Sequence, residues 1–197
     1  MTQSNLKIAI TGGIGSGKSE VCSYLKKAGY PVFSCDEIYS NLLNSGVFNE
    51  DLKNNFGERI FEGGKLNKTK LATIVFKNRE ELKKLNKITH PKILDCAFAQ
   101  MKAYKLSFLE VPLLFESGLE ELFDCVLVVL RNSEDRIQSI VQRDGISTEE
   151  AILRIKSQFN YENCDFAKYY VIHNDLNLEE LHCRVNEALE VIEEKLK

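Results

Sequence analysis

The sequence predicts an α/β fold in which a five-stranded parallel sheet forms the middle layer of three, with helices on both faces. Short apolar runs alternate with amphipathic helical stretches along the 197 residues. Continuous apolar strands of this kind are typical of parallel sheets that are covered on both faces. The hydrophobic fraction of 44% is enough for one substantial core. We therefore expect one domain of this class, with a further lobe added to it.

Each strand of the predicted sheet is a short run rich in β-branched, leucine and aromatic residues. The five runs are Lys7–Thr11, Pro31–Ser34, Ser107–Val111, Cys125–Leu130 and Tyr169–His173. Helix starts are predicted at Ser147 and Asn177, because a glutamate follows three residues after each, as in a capping box. The last helix carries an apolar stripe at spacings of three and four, which predicts packing on the sheet. The stripe consists of Leu178, Leu181, Val185, Leu189, Ile192 and Leu196.

A long helical segment separates the second and third predicted strands, and it is far too long for a simple crossover. We predict a helical lobe over 37–105, and a nucleotide-binding core formed by 1–36 and 106–197. A lobe at the carboxyl edge of a parallel sheet lies where α/β proteins bind ligands, which favours a role in binding a second substrate. A structural elaboration without a ligand is the alternative.

The charge balance gives no support to polyanion binding over a broad surface. Lysine and arginine number 26 against 29 aspartate and glutamate, so the net charge is −3. We therefore expect no binding to nucleic acid or to a membrane surface. No apolar run reaches the roughly 18 residues of a membrane span, and residues 1–5 lack the plan of a secretory signal. These features predict a cytoplasmic protein and leave its oligomeric state open.

The six cysteines are scattered and form no C-x-x-C pair, so neither a zinc site nor a redox motif is predicted. Small buried thiols are the expectation. The cysteines are Cys22, Cys35, Cys96, Cys125, Cys164 and Cys183.

A glycine-rich segment, Gly12–Ser19, fits the P-loop pattern G-x-x-x-x-G-K-[ST], and it lies between a predicted strand and a helical pattern. Its backbone N–H groups and the helix N-terminus can bind phosphates, while Lys18 adds a charge for the β- and γ-phosphates and Ser19 suits Mg²⁺. A glycine-rich turn without a ligand is the alternative. The residues predicted to hold the phosphates are Gly13, Ile14, Gly15, Ser16, Gly17, Lys18, Ser19 and Glu20, the last through its backbone N–H.

The class of P-loop protein is narrowed by two missing motifs. The sequence has no Asn-Lys-x-Asp segment, which weighs against a GTPase switch, and no Leu-Ser-Gly-Gly segment, which weighs against an ABC-type ATPase.

Asp36 follows the second predicted strand, so it is expected at the mouth of the sheet near the P-loop. A carboxylate there can accept the proton of an attacking hydroxyl or hold Mg²⁺ through water. Taken alone, an N-cap for the next helix is equally consistent with it.

Arginine is concentrated in one region, since four of the seven arginines fall between Arg131 and Arg154. Arg143 and Arg154 flank the predicted turn Asp144–Ser147 between two helices. This arrangement favours a helical lid, at about 131–165 within the core, that brings cations to the phosphates. Solvated arginines on a helix face are the alternative.

In the order and type of these motifs, the chain resembles the dephospho-coenzyme A kinase family, a family of P-loop small-molecule kinases. The resemblance covers nearly the whole length of the chain. The Thr-Gly-Gly-Ile-Gly entry to the loop and the Pro-Leu-Leu-Phe-Glu segment are specific to that resemblance. The matching segments are Ile10–Ser19, Asp36, Leu66–Lys68, Leu85–Ile93, Val111–Gly118, Gln142–Gly145, Arg154 with Gln158, and Val171–Asn174.

The resemblance implies ATP- and Mg²⁺-dependent phosphorylation of the ribose 3′-hydroxyl of dephospho-coenzyme A, the last step in making coenzyme A. Lys18, Asp36 and Arg143 are then expected to be catalytic, with Asp36 activating the hydroxyl and Ser19 holding Mg²⁺. Arg143, Arg154 and Asn174 would join the loop in binding ATP. The residues expected to bind the acceptor are Asp36, Lys68, His90, Leu114 and Glu116.

Two of the residues expected to bind the acceptor are assigned more specific roles. His90 precedes a proline in an expected turn, and we assign it a positioning role because Asp36 already supplies the base. Glu116 is expected to help order the metal or the loop around it.

The sequence departs from the family pattern at several places that concern nucleotide affinity more than phosphoryl transfer. Ser34 replaces a usual aspartate, and Ser139 replaces a second lid arginine, so whether Arg136 reaches the same phosphate is left open. Cys164 and Lys168–Tyr169 also differ from the pattern. Two alternatives therefore stay open: another nucleoside or nucleotide kinase, and a nucleotide-binding regulator that has lost catalysis.

Overall fold

A computed structural model describes residues 5–196 of the chain. The chain divides into two compact units: Met1–Phe33 with Met101–Lys197, called here the sheet unit, and Ser34–Gln100, called the helical unit. The binding roles predicted for the core and for the lobe remain predictions. Residues 1–4 and 197 lie outside the described residues. Most of the segment 1–5, in which the sequence shows no plan of a secretory signal, therefore lies outside them as well.

Strands and α-helices alternate over much of the sheet unit. The strands are β1 (Leu6–Thr11), β2 (Val32–Ser34), β3 (Phe61–Glu62), β4 (Lys65–Leu66), β5 (Leu106–Glu110), β6 (Cys125–Leu130) and β7 (Tyr170–His173). The helices are α1 (Lys18–Lys27), α2 (Cys35–Leu42), α3 (Gly46–Phe56), α4 (Lys68–Lys77), α5 (Arg79–Met101), α6 (Ser133–Asp144), α7 (Thr148–Lys156) and α8 (Leu178–Glu194). Along the described chain, however, no α-helix lies between β5 and β6, and two α-helices lie between β6 and β7.

The large sheet has five strands in the order β2-β5-β1-β6-β7, and helices flank it. Strand β1 pairs in parallel with β5 and β6, and β6 pairs in parallel with β7. The predicted fold class is therefore confirmed, and each predicted strand begins and ends within one residue of the observed one. Because β1 is the central strand, the segment that follows it emerges from the middle of the carboxyl edge, with Ile10 opposite Glu110.

The core of the sheet unit joins residues of the strands to α1 and α8. Ile8, Phe108 and Leu127 of the strands are fully buried together with Leu25 of α1. From the predicted stripe of α8, the residues Leu181, Val185, Leu189 and Ile192 are buried in this cluster. Leu178, in contrast, is 58% exposed, because it is the first residue of α8 and precedes the turns that pack on the sheet. Its predicted burial is wrong.

Side-chain caps begin both of the helices for which they were predicted. Ser147 forms a capping box with Glu150 at the start of α7. Asn177 accepts a hydrogen bond from the backbone N–H of Glu180 at the start of α8. These contacts satisfy N–H groups that a helix leaves without partners in its first turn.

The helical unit has its own core and a small antiparallel hairpin of β3 and β4. Gly63 and Gly64 form the turn, both at positive φ, which suits a tight hairpin. The expected turn at His90–Pro91 is wrong, because both residues lie inside the long helix α5. Proline has no backbone N–H, so the Lys87 carbonyl lacks its usual helical donor there. The core residues of this unit are Leu43, Phe48, Leu52, Phe56, Ile60, Leu71, Val75 and Leu85.

The thiols are less uniformly buried than expected. Cys22 and Cys125 are buried, whereas Cys164 and Cys183 are exposed, which contradicts the prediction for these two. Burial raises the pKa of the Cys22 thiol to about 12.

Within 5–196, no group of three or more His, Cys, Asp or Glu side chains could hold a metal ion, and no helix is both long and apolar enough to span a bilayer.

Two adjacent residues of α8 test how much of the stability comes from the sheet-facing side of this helix. We expect Ile192→Ala to destabilise the protein by about 2–5 kcal/mol, because the fully buried side chain leaves a cavity. Val191 is 47% exposed on the same helix, so Val191→Ala should change the free energy of unfolding by less than about 0.5 kcal/mol. Urea unfolding followed by circular dichroism measures both, and equal effects would contradict the packing of α8.

Candidate active site

The P-loop lies where the sequence predicts it, between the central strand β1 and helix α1. Gly17 is the N-cap of α1 and has φ 94°, a left-handed conformation that glycine adopts without steric cost. Lys18 and Ser19 are the first two residues of the helix. The loop N–H groups therefore lie at the positive end of the α1 dipole, which is an arrangement that binds phosphate.

Three neighbouring elements occupy the space in which side chains would lie at the loop glycines. A Cβ on Gly12 would overlap the backbone carbonyl of Val129 in β6, and one on Gly13 would overlap the guanidinium of Arg136 in α6. At Gly17 the obstacle is the side-chain amide of Asn174, just after β7. The glycines are needed here because the rest of the unit packs directly on the loop backbone.

Lys18 is folded back onto the loop. Its Nζ donates hydrogen bonds to the carbonyls of Gly12 at 2.6 Å and Gly13 at 3.1 Å. Burial lowers the pKa of Lys18, and the negative charge of Glu110 at the end of β5 acts in the opposite direction. The ammonium is thus held among loop carbonyls close to one carboxylate, within the segment that would bind phosphate.

Side chains from outside the loop fix its shape by hydrogen bonds. Gln158 accepts from the Ile14 N–H at 2.6 Å, and Asn174 donates from Nδ2 to the Ser16 carbonyl at 2.9 Å. The predicted ATP-binding residue Asn174 therefore acts on the loop itself. The backbone N–H of Glu20 donates to the Gly17 carbonyl at 3.0 Å, as part of the first turn of α1.

The two predicted lid arginines lie on either side of a turn between two helices, as expected. Helix α6 ends at Asp144, Gly145 takes a left-handed conformation, and α7 begins at Thr148. Both guanidinium groups bind the carboxylate of Asp144, Arg143 at 2.7 Å and Arg154 at 2.6 Å. The hydrogen bond and charge of Arg143 hold the pKa of Asp144 below its ordinary value. One acid thus holds both cations, but both guanidinium groups are exposed, so solvated arginines on a helix face stay open as the alternative.

The segment that follows β5 carries two of the residues expected to bind the acceptor. Leu114 is fully buried, whereas Glu116 is exposed and accepts a hydrogen bond from the Phe159 N–H at 2.9 Å. Phe115, between them, packs in a cluster of aromatic rings with Phe159, Tyr161, Phe166 and Tyr169. Glu116 therefore helps to fasten the segment after α7 to the segment after β5.

The remaining predicted site residues lie in the helical unit. Asp36 is exposed in the first turn of α2, two residues after the end of β2. It is not the N-cap, which is Ser34, so this alternative is wrong. Lys68 is exposed at the start of α4, and His90 is half-buried in α5, where burial lowers the pKa of the imidazole. The roles of these residues stay predictions.

Two residues near the loop were not recognised in the sequence. Tyr161 is buried, with its hydroxyl 3.3 Å from Thr11 Oγ1, and burial raises its pKa to about 12. Glu110 hydrogen-bonds the Cys22 thiol and interacts electrostatically with Lys18. For Glu110 the sequence did contain a signal, namely a carboxylate at the end of an apolar run. Its closeness to the loop could not be predicted, because only the sheet order shows that β5 lies next to β1.

A glycine-rich loop between the central strand of a parallel sheet and a helix N-terminus defines a P-loop protein of the kind that binds nucleotide phosphates. The family model described as dephospho-CoA kinase matches residues 6–180. The dephospho-CoA kinase of Fusobacterium nucleatum is 38% identical over 94% of this chain and 97% of its own length. The chain belongs to the dephospho-CoA kinase family.

Solved structures agree with this assignment. The protein TT1252 from Thermus thermophilus is similar with a TM-score of 0.82 and 34% identity, covering 98% of this chain and 99% of its own. Dephospho-CoA kinase from Campylobacter jejuni is similar with a TM-score of 0.67 and 28% identity, covering 97% and 98%. The chain thus matches both over nearly their whole lengths.

The close packing of the loop can be tested at Gly12. We expect Gly12→Ala to weaken ATP binding by at least about tenfold and to cost about 1–3 kcal/mol of stability, because its Cβ would overlap the Val129 carbonyl in the sheet. Gly46→Ala, at the start of α3, is the control, since nothing lies within 4 Å of its added Cβ. Calorimetric titration with ATP and thermal unfolding measure the two effects. Wild-type affinity in Gly12→Ala would contradict the observed packing.

Proposed function

We propose that the chain transfers the γ-phosphoryl group of ATP to the ribose 3′-hydroxyl of dephospho-coenzyme A, which yields coenzyme A and ADP. The observation that carries the proposal is the family match over residues 6–180 together with a fully formed P-loop on the central strand. A cytoplasmic location remains a prediction from the sequence.

In the proposed reaction, the 3′-hydroxyl oxygen forms a bond to the γ-phosphorus while the bond between that phosphorus and the β,γ-bridging oxygen breaks. The proton of the hydroxyl passes to the carboxylate of Asp36. Its exposed position in the first turn of α2, directly after β2, supports this role, because a base must be accessible to an incoming acceptor. The electron pair of the broken bond remains on ADP.

The nucleotide phosphates would be bound by Lys18 and by loop N–H groups between Gly13 and Glu20. Those of Ile14 and Glu20 would first have to leave Gln158 and the Gly17 carbonyl. A phosphate competes with the Gly12 and Gly13 carbonyls for the Lys18 ammonium, and an anion is the stronger acceptor. Arg143 and Arg154 would neutralise charge on the transferring group from the lid. The acid between them, Asp144, keeps the two guanidinium groups together near the turn.

Mg²⁺ fits the oxygen donors of this site. The hydroxyl of Ser19 is exposed at the start of α1, and the carboxylate of Glu110 ends the strand next to β1. When phosphate oxygens and water fill most of its coordination shell, Mg²⁺ needs few protein ligands, and a hydroxyl and a carboxylate are suitable ones. The ion would supply neutralisation of the charge on the phosphates.

In the helical unit, the residues proposed to bind the acceptor are Asp36, Lys68 and His90. In the sheet unit, Leu114 and Glu116 are proposed for this role. Burial lowers the pKa of His90 and so favours the neutral imidazole, which suits positioning through hydrogen bonds. Lys68 is exposed and can bind a phosphate of the acceptor. These assignments extend the proposal to the predicted role of the lobe over 37–105.

The substrate assignment predicts a specific pattern of ADP release. With ATP and Mg²⁺, dephospho-coenzyme A should stimulate ADP formation, and adenosine, AMP, CMP and no acceptor should not. Mass spectrometry of the product should place the added phosphate on the 3′-oxygen. Stimulation by another acceptor would contradict the assignment and favour a different nucleoside or nucleotide kinase.

The base role predicts that Asp36→Asn lowers kcat by about 10²- to 10⁴-fold while the Kd for ATP stays within about twofold. The reason is that the amide cannot accept the proton, although it has nearly the same shape. Asp95→Asn is the matched control, because Asp95 is also exposed in the helical unit. Steady-state kinetics and calorimetric ATP titration measure both. Near-normal turnover in Asp36→Asn would contradict the base role, and no turnover in the wild type would favour a regulator.

A further inference from the structure

Arg136 is a nearly buried cation that contacts the P-loop directly. Its side chain lies in the first half of α6 and only 4% of the residue is exposed. Nε donates a hydrogen bond to the Ile14 carbonyl at 3.0 Å, and a Cβ on Gly13 would lie 2.9 Å from Cζ. The guanidinium is therefore held against the backbone of the loop, in a fixed position.

No carboxylate within the described range 5–196 makes an ion pair with Arg136. Glu162, the acid whose charge acts on it, accepts a hydrogen bond from the Ser133 hydroxyl. Burial lowers the pKa of Arg136, with Glu162 acting in the opposite direction. Burying a cation without a partner is costly. The arrangement is therefore suited to an anionic ligand that would supply the missing charge.

A second observation points to a ligand at the same place. A cavity of about 300 Å³ is lined by Arg136 together with Gly13 and Ser16 of the loop. Two acids, Glu162 and Asp175, also line it, and each already accepts a hydrogen bond, from the Ser133 hydroxyl and the Asn132 N–H respectively. Ser16 is 1% exposed, and its hydroxyl has no hydrogen-bond partner among the described residues. A buried guanidinium and an unpartnered hydroxyl thus line one cavity beside backbone that binds phosphate.

The other arginine of this cavity is already engaged. Arg131 donates from Nη1 to the Ser139 hydroxyl at 2.8 Å and lies 3.7 Å from the carboxylate of Asp135. These contacts hold Arg131 along the surface of α6. Of the two arginines that line the cavity, Arg136 is therefore the one without a carboxylate partner.

We propose that Arg136 is a nucleotide-binding residue, whose guanidinium contacts the phosphate oxygens of ATP from the side of the loop that faces β6 and β7. Its Nε fixes the guanidinium on the Ile14 carbonyl, which leaves the terminal nitrogens for the ligand. The proposal rests on the proposed function only in taking ATP as the nucleotide. It is tested by equilibrium binding, which needs no acceptor and no turnover.

The matched variant is Arg136→Gln, because the glutamine Nε2 stands at the same distance along the side chain as the arginine Nε. This variant can keep the donor to the Ile14 carbonyl while it removes the charge. We expect the Kd for ATP in the presence of Mg²⁺ to rise by about 10- to 100-fold, as for loss of a hydrogen bond to a charged group. Competition against a fluorescent ATP analogue measures this Kd. The affinity for adenosine, which has no phosphate, should stay within about twofold.

A purely structural role for Arg136 predicts the opposite pattern. If Arg136→Gln binds ATP as the wild type does, or loses affinity for adenosine and ATP equally, the proposal is wrong. Arg136→Lys keeps the positive charge but has fewer hydrogen-bond donors than arginine. It should recover part of the ATP affinity that Arg136→Gln loses. Arg136→Lys binding no better than Arg136→Gln would also contradict it.

The result is separable from the substrate assignment. A wild-type protein that binds ATP but does not phosphorylate dephospho-coenzyme A would overturn the proposed function. The binding data for Arg136→Gln would still decide the role of Arg136. Thermal unfolding of each variant in the absence of nucleotide identifies any general loss of structure.

Discussion

The backbone of the P-loop is in direct contact with three elements that come from distant parts of the chain. The Val129 carbonyl of β6, the Arg136 guanidinium of α6 and the Asn174 amide after β7 occupy the places where side chains would lie at Gly12, Gly13 and Gly17. This packing fixes the direction of the loop N–H groups before any ligand binds. Preorganised donors of this kind stabilise phosphate charge without the cost of ordering a flexible segment. The rest of the site depends on this contact.

Charge in the sheet unit is arranged around the same loop. Lys18 and Arg136 lie against the loop carbonyls, and Glu110 is the carboxylate that acts most strongly on Lys18. Arg143 and Arg154 of the predicted lid are held together farther along the chain by Asp144. A small net charge of −3 is therefore compatible with strong local binding of a polyphosphate, because the cations are concentrated where the backbone donors are.

Contacts between the segments that surround the loop extend this organisation to the segments before β6 and after α7. Gln158 binds the Ile14 N–H, Glu116 binds the Phe159 N–H, and the aromatic rings around Phe115 join the same segments. The segment after α7 therefore contacts the loop backbone through the side-chain amide of Gln158. In kinases, segments that close over the site protect the γ-phosphate from water until the acceptor has bound.

The sequence by itself determined the strands, the P-loop and two helix caps, because these depend on local patterns. Apolar runs, glycine spacing and capping residues act within a few residues of one another, and Gly12–Ser19 needs no distant partner to be recognised. The positions of Arg143 and Arg154 around the turn at Gly145 were also readable for this reason. Where a local signal was weak, the prediction failed: His90–Pro91 lies within a helix, and Leu178 lies on the surface.

Only the tertiary structure decided which side chains meet at the loop. Asn174 was expected to bind ATP only because of the family resemblance. Arg136, Gln158 and Asn174 are more than a hundred residues from the loop in sequence, and no spacing rule connects them to Ile14 or Ser16. The same is true of Glu110, whose place beside β1 follows from the strand order β2-β5-β1-β6-β7. Such contacts are set by sheet topology and by the filling of space around a backbone that lacks side chains, and both are properties of the folded chain as a whole.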